Sequence, residues 1–221
     1  MATRQLLVEL VADYKKQVNV AVQIESIGGV DAAKRVQAGE AFDVVILASD
    51  AIDKLIAAGH IDPQSKVNLV DSGVAVAVRA GSAPPDISSE AAVKAAVLAA
   101  KTISYSTGPS GVALAKLFER WGIAEQIASR IVQAPPGVPV GSLVAKGEVA
   151  LGFQQLSELM GLDGISVVGP LPAAIQITTT FSAGVCTASK QADAVKQLLA
   201  FMASDQTAEA KRRQGMTPAA H

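Results

Sequence analysis

The chain of 221 residues has one cysteine, Cys186, and two histidines, His60 and His221. One thiol cannot close an internal disulfide, and it offers no thiolate cluster to a metal. His60 sits in the loop-like Gly59-His60-Ile61-Asp62-Pro63 and His221 ends the chain. Two such histidines argue against a His-rich metal site and against a Ser-His-Asp triad. Aromatic residues make up 4% of the chain, with Trp121 the lone tryptophan, and charged residues 18%. Nineteen Lys and Arg against 20 Asp and Glu leave a formal net charge of −1. That balance excludes a protein that holds nucleic acid by bulk positive charge. No apolar run approaches the ~18 residues that cross a bilayer, so membrane insertion is not expected. Met1-Ala2-Thr3-Arg4-Gln5 lacks the charged stretch and apolar core of a secretory signal. As written the product is expected to be cytoplasmic, or periplasmic if the true start lies upstream. No G-x-x-x-x-G-K-[ST] or G-x-G-x-x-G run occurs, so nucleotide chemistry is not expected and no cofactor or metal is called for.

Half of the residues are hydrophobic, mostly Ala and Val. This excludes disorder and suits Ala-rich helices packed on Val/Ile strands, an α/β fold. Leu6, Leu7, Leu10, Val11 and Tyr14 recur at helical spacing, with Thr3 placed to cap. Val20, Val22 and Ile24 alternate with Ala21, Gln23 and Glu25 as in a strand. Asp31 is placed to cap a helix over 32–38 that Gly39 stops. Asp43–Ala48 is a continuous apolar run typical of a buried parallel strand, and a helix over 49–58 follows. This alternation implies βαβ units and a parallel sheet. A long Val/Ala strand over 73–79 precedes an Ala-rich helix capped by Ser89. Then come a short strand over 102–105, helices over 112–121 and 141–146, and a buried strand over 149–154. Residues 175–187 form a long β-rich segment before helices over 192–203 and 208–213. Residues 217–221 are expected to fray.

The chain therefore divides into two α/β lobes, 1–75 with 178–221 and 76–177, joined by two extended crossings. That is the layout of a clamp that closes on a ligand. In parallel sheets ligands bind beyond the carboxyl ends of strands, at helix N-termini. Ser26-Ile27-Gly28-Gly29, Ser106-Thr107-Gly108-Pro109-Ser110-Gly111 and Gly137-Val138-Pro139-Val140-Gly141-Ser142 each precede a helix. Free N–H groups, the helix dipole and serine hydroxyls attract an anion without net basic charge. Gln154 and Gln155 follow a buried strand. One is expected to face a ligand and the other the lobe interior or its packing helix. Tyr105 is either a ligand hydroxyl or a core tyrosine. Trp121 is expected to pack, Arg4 and Arg35 to be solvated or to meet a carboxylate, and Lys211-Arg212-Arg213 to form a solvated final turn.

Four stretches carry a resemblance. They are Ala33–Glu40 with Phe42-Asp43-Val44-Val45-Ile46-Leu47; Ser106–Ala113; Gly147–Gln155; and Val168-Gly169-Pro170-Leu171-Pro172. Through them nearly the whole chain resembles the type II periplasmic solute-binding proteins, in particular the molybdate-binding-protein-like branch. The resemblance implies a two-lobed α/β fold, a small anionic ligand and an ABC-transporter membrane component as partner. Molybdate binders place serine before the second helix, where this chain has Gly28 and Gly29. They have alanine where it has Ser110, and tyrosine where it has Gln155. The cleft is thus respecified and suits a multi-oxygen organic acid at least as well as a molybdate-like oxyanion, with Gly28, Gly29, Ser110, Gly111, Val138 and Gln155 as its ligand-binding residues. The Gly-Phe-Gln-Gln stretch also resembles aconitate isomerase, which implies a cofactor-free 1,3-proton shift in an unsaturated tricarboxylate as the alternative. No catalytic residue is assigned; Glu25, Asp31 and Glu158 are the nearest bases.

Family members begin with a strand that this chain lacks. The expectation is a gap between Val20–Ser26 and Asp43–Ala48, closed by an upstream segment or a partner chain. A dimeric interaction module using that open edge, with a second copy as partner, is a third class of function.

Overall fold

A computed structural model describes residues 1–220. The chain forms two compact units, Met1–Ser72 with the chain from Thr179 onward, and Gly73–Thr178. In chain order, unit 1 begins with α1 (Arg4–Gln17), α2 (Gly29–Gln37), β1 (Val44–Ala48) and α3 (Ser49–Ala57). Strand β2 (Val67–Arg79) then carries the chain into unit 2. There follow α4 (Glu90–Ala99), β3 (Ile103–Ser104), α5 (Pro109–Arg120), α6 (Ala124–Ile127), α7 (Val140–Ala145), β4 (Leu151–Gln155), α8 (Leu156–Leu159) and β5 (Ile165–Pro170). The chain returns through β6 (Thr178–Val185) to α9 (Ala192–Ala203), α10 (Ala208–Arg213) and β7 (Met216–Pro218).

Unit 1 is built on β1-β6-β2 with β7 also on β2. The β1–β6 pair is antiparallel, Ile46 opposite Ala183, and β7 runs antiparallel to β2, Thr217 opposite Asp71. The apolar stripe of α1 is buried with Leu69, Val70, Ala183 and Val185 and with Val195, Leu198, Leu199 and Met202 of α9. A second cluster joins Val36, Val45, Leu47, Ile52, Leu55, Ile61 and Cys186.

Several expectations fail in this unit. Val20–Ser26 alternates as expected, with Val22 and Ile24 packed on the α1 core, but it joins no strand ladder. Alternation decides which side chains face a core; a ladder also needs a neighbouring strand about 4.8 Å away. For the same reason β1 takes the returning β6 as an antiparallel neighbour, and the expected parallel βαβ pairing is absent here. Thr3 stands at the α1 N-cap without a side-chain cap bond, and Gly28 rather than Asp31 is the N-cap of α2. Residues 217–218 belong to β7, and Ala219 N–H donates to Leu69 O (3.2 Å). His221 lies outside the described residues. The segment 175–187 divides into a 3-10 turn, Ala173–Ile175, and β6.

Unit 2 has β2-β4-β3 as its spine, with β5 on the far side of β2. Strands β3 and β4 are parallel, Ser104 beside Gly152, and Ile131 bridges the other edge of β3. One face carries Val74, Val76, Ile103, Leu151 and Phe153 against Leu114, Leu117 and Phe118 of α5. On the other face α7 lies close to β4. A Cβ on Gly152 would stand 2.7 Å from Val144 Cγ2 and 2.9 Å from Val140 Cγ1. The Gln176 amide locks β2 from the side: its Oε1 accepts from Val74 N–H and its Nε2 donates to Val74 O, both 3.1 Å.

Candidate functional site

Helix α5 starts without a cap. Its N-cap is Gly108, its first residue is Pro109, and its first backbone bond is Val112 N–H to Gly108 O (3.1 Å). The N–H groups of Ser110 and Gly111 therefore have no acceptor within the helix. The preceding turn is tied down. Ser106 Oγ accepts from Gly108 N–H (3.3 Å), and Gln133 Nε2 donates to Ser106 O (3.4 Å). Gly111 is required by that turn, because a Cβ there would lie 1.7 Å from Ser106 O. Ser110 is 5% exposed, and its hydroxyl finds no hydrogen-bond partner among the described residues. A hydroxyl beside two N–H donors without helical acceptors, at the positive end of a twelve-residue helix, suits an oxyanion.

Gln155 closes β4. Side chains alternate along a strand, so Gln155 shares the α5 face with Leu151 and Phe153, while Gln154 shares the α7 face with Gly152. Ser110 and Gly111 open α5, the helix that covers that face of β4. Gln154 is the partner of the packing helix: its Oε1 accepts from Val140 N–H (3.1 Å). Val138 stands apart from the other three. Its side chain is half-buried on the Val140–Val144 cluster and its N–H donates to Pro135 O (3.0 Å).

In unit 1, Gly28 and Gly29 open α2, again without a side-chain cap. A Cβ at either would meet nothing nearer than 3.7 Å, so packing does not demand glycine; its effect is to leave the backbone uncovered. By contrast α4 is capped by Ser89, whose Oγ accepts from Ala92 N–H (3.1 Å).

The other sequence candidates sort by their partners. The Arg35 guanidinium grips Glu40 through two nitrogens, bonds Glu25 (2.5 Å) and lies over the Phe42 ring. Glu40 holds it protonated above its ordinary range, with Glu25 adding to that effect. Tyr105 packs edge-on to Phe118, and burial pushes its hydroxyl pKa up. Trp121 packs on Phe118 while its Nε1 donates to Glu90 (2.7 Å). Burial pushes the Glu158 carboxyl upward, and Asp31 is exposed. The expected solvated turn 211–213 is corrected at Lys211, which is 1% exposed, while Arg212 and Arg213 are exposed and Arg213 pairs with Glu9. The sequence did not mark Ser104, whose buried Oγ has no partner; a lone strand serine carries no signal without its neighbours. Among the described residues no three of His, Cys, Asp or Glu group to hold a metal ion.

A profile of the bacterial extracellular solute-binding proteins matches residues 1–217. The chain belongs to that family. Among its relatives, an aconitate isomerase from a Pseudomonas species is 37% identical over 216 residues, 95% of this chain and 82% of that protein. Among solved structures, the periplasmic molybdate-binding protein of Azotobacter vinelandii superposes with a TM-score of 0.80 at 20% identity, covering 99% of this chain and 96% of that one. The L-phospholactate-bound PEB3 protein gives 0.74 at 14% identity, covering 98% and 96%. These likenesses establish the type II periplasmic-binding-protein fold for this solute-binding protein. No described helix is long and apolar enough to cross a membrane.

Proposed function

We propose that this solute-binding protein takes a small organic anion, a carboxylate in preference to a molybdate-like oxyanion, and hands it to an ABC-transporter membrane component. The observation that carries the reading is the Ser110 hydroxyl, without a partner among the described residues, at the uncapped start of α5. In unit 2 the proposed donors are Ser110, Gly111 and Gln155, with Val138 in the loop before α7. All are neutral donors, in keeping with the net charge of −1. Glutamine in place of the tyrosine of molybdate binders supplies an amide suited to planar carboxylates.

The 37% identity to an aconitate isomerase supports a second reading on the same site, a cofactor-free isomerisation. A base would take a proton from one allylic carbon, the double bond would shift, and the proton would return at the far carbon. Glu158, whose carboxyl is raised by burial, is the base candidate for that step.

The test is a thermal-shift panel of molybdate, tungstate, sulfate, phosphate, citrate and both aconitate isomers, followed by a turnover assay. Stabilisation by a carboxylate without conversion supports the receptor. Conversion of one aconitate isomer to the other moves the assignment to the isomerase. A shift with molybdate or tungstate alone overturns the carboxylate reading.

A further inference from the structure

A concavity opens in unit 2 between α5 and the segment 173–177 that leads into β6. It holds about 300 Å³. Its α5 wall is Ala113, Lys116, Leu117 and Arg120, which fall at i, i+3, i+4 and i+7 and so share one helix face. Ser110 and Gly111 do not line it. Leu117 and Ile175 belong to the buried core of the unit, and Ala113 and Ile177 are half-buried, so the body of the lining is apolar. The amides of the facing segment are used within the fold. Gln176 Oε1 accepts from Val74 N–H (3.1 Å) and Ile177 N–H (2.8 Å), its Nε2 donates to Val74 O, and Ile175 N–H donates to Pro172 O (3.0 Å). Two cations remain for a ligand. Lys116 is exposed and has no ion-pair or hydrogen-bond partner among the described residues. Arg120 reaches Glu90 at 3.4 Å, and Trp121 Nε1 already donates to the same carboxylate oxygen (2.7 Å). Among the described residues no carboxylate lines the concavity.

We propose that this concavity is a second ligand site and that it takes an amphipathic monocarboxylate, with the carboxylate on Lys116 and Arg120 and a short hydrocarbon body on Ala113, Leu117, Ile175 and Ile177. Charge selects the head: two cations with no opposing carboxylate in the lining attract an anion and repel an ammonium. The apolar lining selects the body, since it gains from each methylene buried and would strip a second carboxylate of its water without replacing it. Citrate and the inorganic oxyanions are therefore unsuited to this site. The volume lies at the lower end of ligand pockets, which fits an acid of about six to eight carbons. The site stands on its own residues and does not depend on the reading of the Ser110 loop.

The test titrates the full chain with butanoate, hexanoate, octanoate, octylammonium and citrate by calorimetry, with backbone amide NMR spectra of the same samples. Octanoate is expected to shift the amides of Ala113, Leu117, Ile175 and Ile177, and affinity to rise about threefold per added methylene from butanoate. Octylammonium is expected not to bind. Lys116→Gln should weaken octanoate about threefold, and Lys116→Gln with Arg120→Gln about tenfold or more, with the melt unchanged because both side chains are exposed. Should the double variant melt early, Lys116→Gln alone decides. Octylammonium binding as tightly as octanoate overturns the proposal, since the concavity is then an apolar patch alone. Parent-like octanoate affinity in the deciding variant overturns it, as does octanoate binding that leaves those four amides unmoved. No octanoate binding at millimolar concentration overturns it too. Citrate separates this site from the Ser110 loop: citrate that competes with octanoate overturns the second site, whereas citrate that fails to bind counts against the Ser110 reading and leaves octanoate to decide this one.

Discussion

Lys211 lies at 1% exposure in α10, in a run of three cations whose placement near a helix end suggests a solvated turn. Burial drives its ammonium pKa below the ordinary value, and the Asp205 carboxylate offsets part of that. A lysine whose folded pKa is depressed binds its proton more weakly folded than unfolded. Its contribution is unfavourable at neutral pH and fades as pH rises toward the unfolded value near 10.5. Lys211→Met is therefore expected to raise Tm at pH 7, with a gain that shrinks toward pH 10.5 in melts across that range. Cys186 acts oppositely. Burial, with the Asp43 carboxylate adding to it, pushes its thiol up to about 11 from 9.0. Stability is unaffected below about pH 9 and falls from 9 to 11, by on the order of 2–3 kcal/mol, as only the unfolded thiol ionises freely. Cys186→Ala should start from a lower Tm and lose this alkaline slope.

Ser110 is a further test at the residue scale. Ser110→Ala removes a hydroxyl with no partner among the described residues, so stability is expected to hold within about 0.5 kcal/mol. Affinity for the bound carboxylate should fall about tenfold, by the loss of one hydrogen bond to a charged group. Calorimetry and melting of the same sample separate the two effects.

Among the elements, α5 depends on a close approach that only glycine permits. Gly111→Ala would place a methyl 1.7 Å from Ser106 O, against backbone rather than a yielding side chain. The start of α5 must shift, costing about 1–3 kcal/mol and the anion affinity together. A variant that keeps both would show that the 106–111 turn has slack. The elements also show how far the sequence reached. The helical stripe of α1 and the apolar run of β1 were legible, because periodicity reports which face meets a core. Val20–Ser26 carried the same quality of signal and formed no ladder, because pairing depends on what stands beside a strand. The loop before α5 was legible as Gly-Pro-Ser-Gly. That Gln154 would turn to α7 and Gln155 to the α5 face was not, since alternation separates two neighbours without saying which packing helix lies on either side.

For the whole molecule, a ligand bound only by the folded state stabilises it by about 2.7 kcal/mol at a hundred times its Kd. For a chain of 221 residues this is roughly 5–10 °C in Tm. The bound carboxylate at that excess should produce it, while sulfate and phosphate should leave the melt unmoved.

The sequence by itself determined the α/β class, the near-neutral surface, the absence of a cysteine pair, and the Gly/Ser loops before helices. Composition, period and local backbone freedom depend on residues close in the chain. The tertiary structure alone decided that β1 pairs with β6, that Lys211 is buried, that Arg35 pairs with Glu25 and Glu40, and that the Ser104 and Ser110 hydroxyls have no partner among the described residues. Each of these turns on a neighbour brought from elsewhere in the chain, or on its absence, and satisfaction of a polar group is a property of that neighbourhood rather than of the residue.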